Sequence, residues 1–293
     1  MKHKELLKKI KYTLNFLPDP LYIQLYYFAK FHKLCDFKNP KTFNEKLQWL
    51  KLNDRNPLYV QLVDKVEVKK YVAEKIGSEH IIPTFGVWND PNEIDFDILP
   101  EQFVLKCNHD SGNVIICKDK KNFDKEAANR KLTELLKQNF YYIGREWPYK
   151  NVPRKILAEQ YMVDEFGGDL KDYKIFNFNG EPKVIQVDYG RFIEHKRNLY
   201  SMEWKYIEAA IQYPTDAAYK IARPGNLEEM LKLAKILSNG FPHVRTDFYL
   251  INEKVYFGEM TFYHGSGFEK FMPESFGLEM GNWIKLPSEK DTF

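Results

Sequence analysis

Apolar residues recur about one helical turn apart at Leu6, Ile10, Leu14 and Leu17 in the opening segment KHKELLKKIKYTLNFL, with Lys2, Lys4, Lys8, Lys9 and Lys11 among them. That period predicts a basic amphipathic helix. Pro18 and Pro20 end it, and LYIQLYYFAKFH predicts an aromatic helix next. In NPKTFNEKLQWLKL, Thr42 with Glu45 three residues later spells a capping box, so a helix starts there. LVDKVEVKKYVAEKIG predicts one further helix, stopped at Gly77. From there the pattern shifts toward alternation. IIPTFGVW reads as a short strand, and FVLKCNHDSGNVIICKD, residues 103–119, as two strands joined by a six-residue loop from Asn108 to Asn113. FDKEAANRKLTELLKQNF is helical in pattern. RKILAEQYM, DYKIFNFNGEPKVIQVDYG and VRTDFYLINEKVYFGEMTF read as strands and hairpins, interrupted by the helix NLEEMLKLAKILS. The order is a helical N-terminal third followed by an α+β body built on antiparallel hairpins, with no internal repeat.

A chain of 293 residues with 44% hydrophobic and 16% aromatic content can bury a large core, in two domains or one domain with subdomains. A net charge of +3 does not point to nucleic acid. Its distribution is uneven: residues 1–51 carry eleven Lys and four acids, +7, which leaves −4 for the remainder. For the basic N-terminal helix, docking on the body with a solvated lysine face is the leading expectation, and contact with a membrane surface the lesser one. No apolar run approaches the roughly 18 residues of a membrane span and no secretory signal opens the chain, so a cytoplasmic location is expected. Cys35, Cys107 and Cys117 form no CxxC pair and fit a reducing compartment.

The last hairpin carries the most specific geometry. A three-residue loop of Asn252, Glu253 and Lys254 sets Ile251 against Val255, Asp247 directly against Glu259 and Arg245 against Thr261. Two carboxylates on one sheet face suit Mg²⁺, which takes further ligands from phosphate and water. A two-residue loop would put the acids on opposite faces, and an acid paired with Arg245 or facing water is the plainer alternative. Lys106 precedes the 108–113 loop and could present an ammonium to phosphate, although one Gly in six residues is not a P-loop. Cys107, His109 and Cys117 lack the ligand spacing of a zinc site, and the two cysteines read better as small buried hydrophobes. Glu159-Gln160-Tyr161-Met162 at a strand exit could read an adenine edge or simply end a strand.

Together NPKTFNEKLQWLK, DKVEVKKYV, FVLKCNHDSGNVIICKD, ILAEQYM, DYKIFNFNGEPKVIQ and VRTDFYLINEKVYFGEMTFYHGSGF resemble, in order and spacing over roughly residues 35–280, the TupA-like branch of the ATP-grasp superfamily. The resemblance implies an ATP-grasp fold: two α+β subdomains with antiparallel sheets gripping ATP between them, preceded by a helical N-terminal region. Residues 1–60 would be that helical region and 61–293 the ATP-grasp domain, with a small flap-bearing subdomain at about 80–157 and a large metal-binding one at about 158–285. It implies ATP and Mg²⁺ as cofactors, Lys65 and Lys106 as phosphate-binding lysines, and Ser111, Gly112 and Asn113 as a flap over the triphosphate. Glu159, Gln160 and Met162 would form the adenine hinge, with Glu165 favoured over Asp164 and Asp169 for ribose. Asp247 and Glu259 would bind metal, with Arg245, Lys106 and Lys174 as catalytic cations. Thr261 stands where many members carry an Asn metal ligand, which argues against a second metal.

The implied reaction is ATP-dependent ligation of a carboxylate to an amine through an acyl phosphate, in the biosynthesis of bacterial surface polysaccharide. Its partners would be a small acid and a small amine, with a nucleotide- or lipid-linked sugar among the options. Arg191, His195, Arg197 and Asn198 form a basic cluster suited to an acidic substrate, or a solvated loop. A glycosyltransferase, though no DxD motif is present, and a kinase on the same fold are the competing activities.

Overall fold

A computed structural model of the chain describes residues 10–110, 112–163, 170–190 and 194–287. It separates into two compact units, residues 57–169 and residues 1–56 together with 170–293. The N-terminal helices therefore belong to the unit that carries the C-terminal half of the chain. Most of the basic N-terminal helix lies outside the described residues, which begin with the helical stretch at Ile10. Helix α1 spans Asp19–Phe31 and α2 spans Phe43–Asn53. The Thr42 hydroxyl accepts from the Glu45 amide and the Glu45 carboxylate accepts from the Thr42 amide, closing the capping box that the spacing predicts. Tyr22, Ile23 and Tyr27 of α1 bury against Cys35 and Phe268.

In the unit 57–169, the segment read as one helix is two, α3 at Leu58–Val63 and α4 at Glu67–Ile76. Asp64 causes the break: its Oδ1 accepts from the amides of Val66 and Glu67, which an unbroken helix would have bonded to backbone carbonyls. Strands β1 (Thr84–Trp88), β2 (Phe103–Cys107), β3 (Val114–Cys117) and β4 (Ile156–Gln160) form an antiparallel sheet in the order β1-β4-β2-β3. The sequence boundary at 157/158 would have cut through β4. Phe103, Leu105 and Cys107 alternate into a core with Cys117, Ile156 and Ala158, joined by Leu132 and Leu135 of helix α5 (Lys125–Leu136). Val104, Lys106 and Glu159 are thereby sent to the other face. Cys107 and Cys117 are buried free thiols, and burial pushes the Cys107 thiol up to about 12, so it stays a protonated hydrophobe.

The other unit is built on a six-stranded antiparallel sheet of β5 (Asp172–Phe178), β6 (Glu181–Tyr189), β7 (Lys196–Tyr200), β8 (Tyr206–Ile207), β10 (His243–Ile251) and β11 (Lys254–Thr261) in the order β11-β10-β5-β6-β7-β8. Strands β9 (Ala210–Ile211) and β12 (Phe271–Met272) pair separately. Alternation sends Ile175, Val244, Thr246 and Phe248, all fully buried, to one face, and Lys174, Phe176, Arg245 and Asp247 to the other. Helix α6 (Leu227–Ser238) packs its apolar stripe on β5, β6 and β10. Phe43 of α2 meets Phe176, Phe178 and His243 edge-on, so α2 closes one end of the Asp247 face. No helix among the described residues is long and apolar enough to cross a membrane.

Candidate active site

Asp247 stands directly opposite Glu259, and Arg245 opposite Thr261, in the β10/β11 register. The loop that produces this is not the expected one. Asn252 and Glu253 alone make the turn, with φ of 49° and 58°, and Leu250 pairs with Val255. A two-residue turn taken by itself would separate the acids, but the register shifts between Asp247 and Phe248, leaving Gly258 as an extra residue between the pairs Phe248–Phe257 and Asp247–Glu259. The bulge returns both carboxylates to one face. Glycine suits it, because a Cβ at 258 would lie 3.1 Å from the Asp247 carbonyl oxygen.

Two cations hold the acids. Arg245 donates from Nε to Asp247 Oδ1 at 2.7 Å and from Nη2 to Asp247 Oδ2 at 2.7 Å, and Nη2 also reaches Glu259 Oε1 at 2.9 Å and Thr261 Oγ1 at 3.1 Å. Lys174, paired with Asp247 across β5, donates to its Oδ2 at 2.9 Å and to Asp172. Burial would raise the Asp247 pKa, but Arg245 and Lys174 outweigh it and hold the carboxyl at about 2. Burial works against the charge of Lys174 as well, and Asp172 and Asp247 reverse that, so its ammonium is held above the ordinary range. Three carboxylates against two cations leave this cluster one negative charge, and among the described residues the hydrogen bonds to Glu259 reach Oε1 alone. The residues therefore fit a hard divalent cation that takes its remaining ligands from phosphate and water. Among the described residues no group of three or more His, Cys, Asp or Glu is placed to hold a metal without such help.

The same face carries a longer polar chain that the motifs did not reveal. Arg245 Nη1 donates to His264 Nδ1 at 2.6 Å, and His264 Nε2 donates to Glu269 Oε2 at 2.8 Å. Burial keeps the His264 pKa below its usual value, consistent with a neutral ring carrying its proton on Nε2. Glu269 also accepts from Arg197 Nη1 at 2.8 Å, and Arg197 Nε donates to Asp188 Oδ1 at 2.8 Å. Burial opposes the charge of Glu269, yet His264 and Arg197 hold it down at about 2. His264 opens a turn in which Gly265, Ser266 and Gly267 all have left-handed φ. Helix α2 pins that turn: Gln48 Nε2 donates to the Ser266 and Gly267 carbonyls, and Lys51 Nζ donates to Ser266 O at 2.7 Å. The sequence signal for this chain was polar residues two apart in otherwise apolar strands, Gln186 with Asp188 and Asp172 with Lys174; nothing local marks Glu269.

The proposed substrate cluster is revised by this geometry. Arg191 lies outside the described residues. Arg197 and Asn198 belong to strand β7 rather than to a loop. Asn198 points to the face opposite Asp247, is fully buried and binds the backbone of Asp216 and Tyr219, so it is not available to a substrate. The guanidinium of Arg197 is buried among Asp188, Glu269 and the Ile211 carbonyl and acts inside the protein. His195, half-buried, contacts Asp188 Oδ1 at 3.0 Å and lies 3.8 Å from the Tyr213 ring.

The unit 57–169 gathers a second set. Glu159 is buried, with Lys69 Nζ at 2.6 Å from Oε1 and Lys106 Nζ on Oε2. Burial raises the carboxyl, but the two ammonium groups bring it below its usual range. Lys69, which the sequence reading missed, sits one helical turn after Lys65. Its burial outweighs the attraction of Glu159, which it shares with Lys106, and its pKa falls. Lys65 lies in the α3–α4 break and donates to the Asp110 carbonyl. Asn108 anchors that break: Nδ2 donates to Asp64 Oδ2 at 2.8 Å and to Pro153 O at 2.8 Å, and Oδ1 accepts the Lys155 amide at 2.7 Å. The six-residue loop is thus built into the body at its start, with Asn108 and His109 buried, while Gly112 at φ 81° is exposed with open space around its Cβ position. Asn113 donates to Asp110. The Gln160 amide is taken by the Pro83 carbonyl at 3.0 Å, and Met162 is half-buried. Ser111, Asp164, Glu165 and Asp169 lie outside the described residues.

The family model described as TupA-like ATP-grasp matches residues 45–285, most of the chain. The chain belongs to the TupA-like ATP-grasp family. ATP-grasp enzymes use ATP with Mg²⁺. No curated protein matches it. Among solved structures, D-alanine–D-alanine ligase from Bacillus anthracis complexed with ATP is similar at 15% identity and a TM-score of 0.40, over 69% of this chain and 53% of that one. The chain thus spans about half the length of that protein. D-alanine–D-alanine ligase from Helicobacter pylori is similar at 16% identity and 0.41, over 84% and 70%. A RimK domain ATP-grasp protein from Sphaerobacter thermophilus follows at 11% and 0.42, over 84% and 72%.

Proposed function

We propose that this TupA-like ATP-grasp enzyme is an ATP-dependent carboxylate–amine ligase that modifies a sugar acid or amino acid in the synthesis of bacterial surface polysaccharide. The observation that carries the reading is the Asp247–Glu259 pair on one sheet face, with Arg245 bonded to both acids and Lys174 to Asp247. In the first step a substrate carboxylate oxygen attacks the γ-phosphorus of ATP, the bond to the β–γ bridging oxygen breaks, and ADP leaves. The amine then attacks the acyl carbon, phosphate departs with its oxygen, and the amine loses a proton. Mg²⁺ held by Asp247 and Glu259 would neutralise phosphate charge.

Arg245 has five hydrogen bonds fixing its plane, so it can stabilise developing charge with no reorganisation at the moment of transfer. Lys174 keeps Asp247 ionised. In the other unit, Lys106 and Lys69 exceed Glu159 by one positive charge, and Lys65 adds a cation at the loop, a set suited to phosphate oxygens. Gly112 and Asn113 supply the exposed end of the loop as a cover that keeps water from an acyl phosphate. The test has two stages. A thermal-shift screen should show stabilisation by Mg-ATP and none by UDP-sugars, which would instead support a glycosyltransferase. ADP release across a panel of uronic acids and amino acids should then require an amine as well as a carboxylate. Release of ADP with a stable phosphorylated acid and no amine requirement would mean a kinase.

A further inference from the structure

Helix α1 has two apolar sides. Tyr22, Ile23 and Tyr27 are buried, while Leu21, Leu25 and Phe28, spaced i, i+4 and i+7, face outward at 49%, 51% and 52% exposure. A surface helix normally turns charged residues to water, and a helix apolar all round is normally covered. Ile10, Phe16 and Leu34 are exposed as well, so six of the fifteen large apolar side chains exposed among the described residues fall within residues 10–34. Such clustering marks an interaction surface rather than scattered exposure.

Charge says what covers it. Between Asp19 and Asp36 the charged side chains are Lys30 and Lys33, the second of them paired with Glu274 at 2.7 Å, and residues 1–51 carry +7 in a chain that is otherwise −4. A second copy would bring like charge against like charge. We propose that this face docks the enzyme on an anionic lipid surface, with α1 lying in the interface plane, its outer side chains among the acyl chains and the surrounding lysines on the headgroups. The proposal is independent of the ligase reading, since none of these residues belongs to either polar cluster.

The test is co-sedimentation of the full chain with vesicles of phosphatidylcholine alone and of phosphatidylcholine mixed with phosphatidylglycerol. The wild type should sediment with the mixed vesicles only, less so as salt is raised. Leu25→Ser with Phe28→Ser should weaken partitioning at least about tenfold with circular dichroism and melting unchanged. Phe16→Ser, at a side chain 74% exposed and so without consequence for folding, should weaken it too. The proposal is overturned if the wild type stays in solution with mixed vesicles at low salt, or if both variants bind as the wild type does. It also fails if the wild type is a dimer that the double variant makes monomeric, since a second copy then covers the face.

Discussion

The two polar clusters are opposite in sign. Around Glu159 one carboxylate serves two ammonium groups, an excess of one positive charge; around Asp247 three carboxylates serve two cations, an excess of one negative charge. Each is nearly balanced, which is what makes burial tolerable. The residual charge is the informative part: the first set is poised for an anion such as phosphate and the second for a cation. Their settings differ as well. The Glu159 set spans a helix and two strands and bonds few other groups, whereas Asp247 sits at one end of a chain running through Arg245, His264, Glu269 and Arg197 to Asp188.

If that contrast is right, Asp247→Asn should lower Mg-dependent ATP turnover by at least about 100-fold, read as ADP release. Nucleotide affinity without metal should hardly change. Lys106→Ala should do the reverse, weakening ADP binding by about tenfold in calorimetry while leaving the Mg²⁺ concentration dependence intact. Exchange of these two outcomes would break the comparison.

The next effect is structural. Glu159→Gln leaves two part-buried ammonium groups without their carboxylate and should cost about 1–3 kcal/mol in denaturant unfolding of the unit 57–169. Within the longer chain, His264→Phe should lower turnover by about tenfold with little change in nucleotide affinity. His264→Gln, whose amide oxygen can still accept from Arg245, should recover part of it. The imidazole nitrogen shifts of the wild type should show an unprotonated Nδ1.

The smallest effect is in pH dependence. Burial, opposed only by the Asn177 carbonyl, holds the His243 pKa down at about 3, against 6.5 in an unfolded chain. Unfolding therefore takes up a proton below pH 6.5, and stability present above that value is lost as pH falls toward 3. A second loss comes from Asp247 and Glu269, both held at about 2: their contribution is complete above about pH 4.5 and disappears between there and 2. Melting temperatures measured against pH should decline in two stages, and His243→Phe should shrink the upper one without abolishing it, because the buried His264 ring contributes there too.

Much of this was legible along the chain. The capping box at Thr42, the six-residue loop between β2 and β3 and the hairpins of the sheet are local matters of period, cap and turn residues, so they survive into the structure. The helix across Asp64 did not survive, because a side chain that bonds its own downstream amides competes with the helix it sits in. The substrate cluster did not survive as drawn, because a strand alternates its side chains and Arg197 and Asn198, adjacent in sequence, face opposite ways.

Asp247 opposite Glu259 is the sharpest case. Sequence alone determined which residues carry charge, that a hairpin joins β10 to β11 and which family the chain resembles, since these depend on residue identity and short-range period. Only the tertiary structure decided that a two-residue turn plus a bulge at Gly258 brings the acids together. It alone placed Lys69 beside Lys106, and put His264 and Glu269 behind Arg245. Contacts between residues far apart in sequence are set by how sheets pair and helices pack, and no local pattern records them.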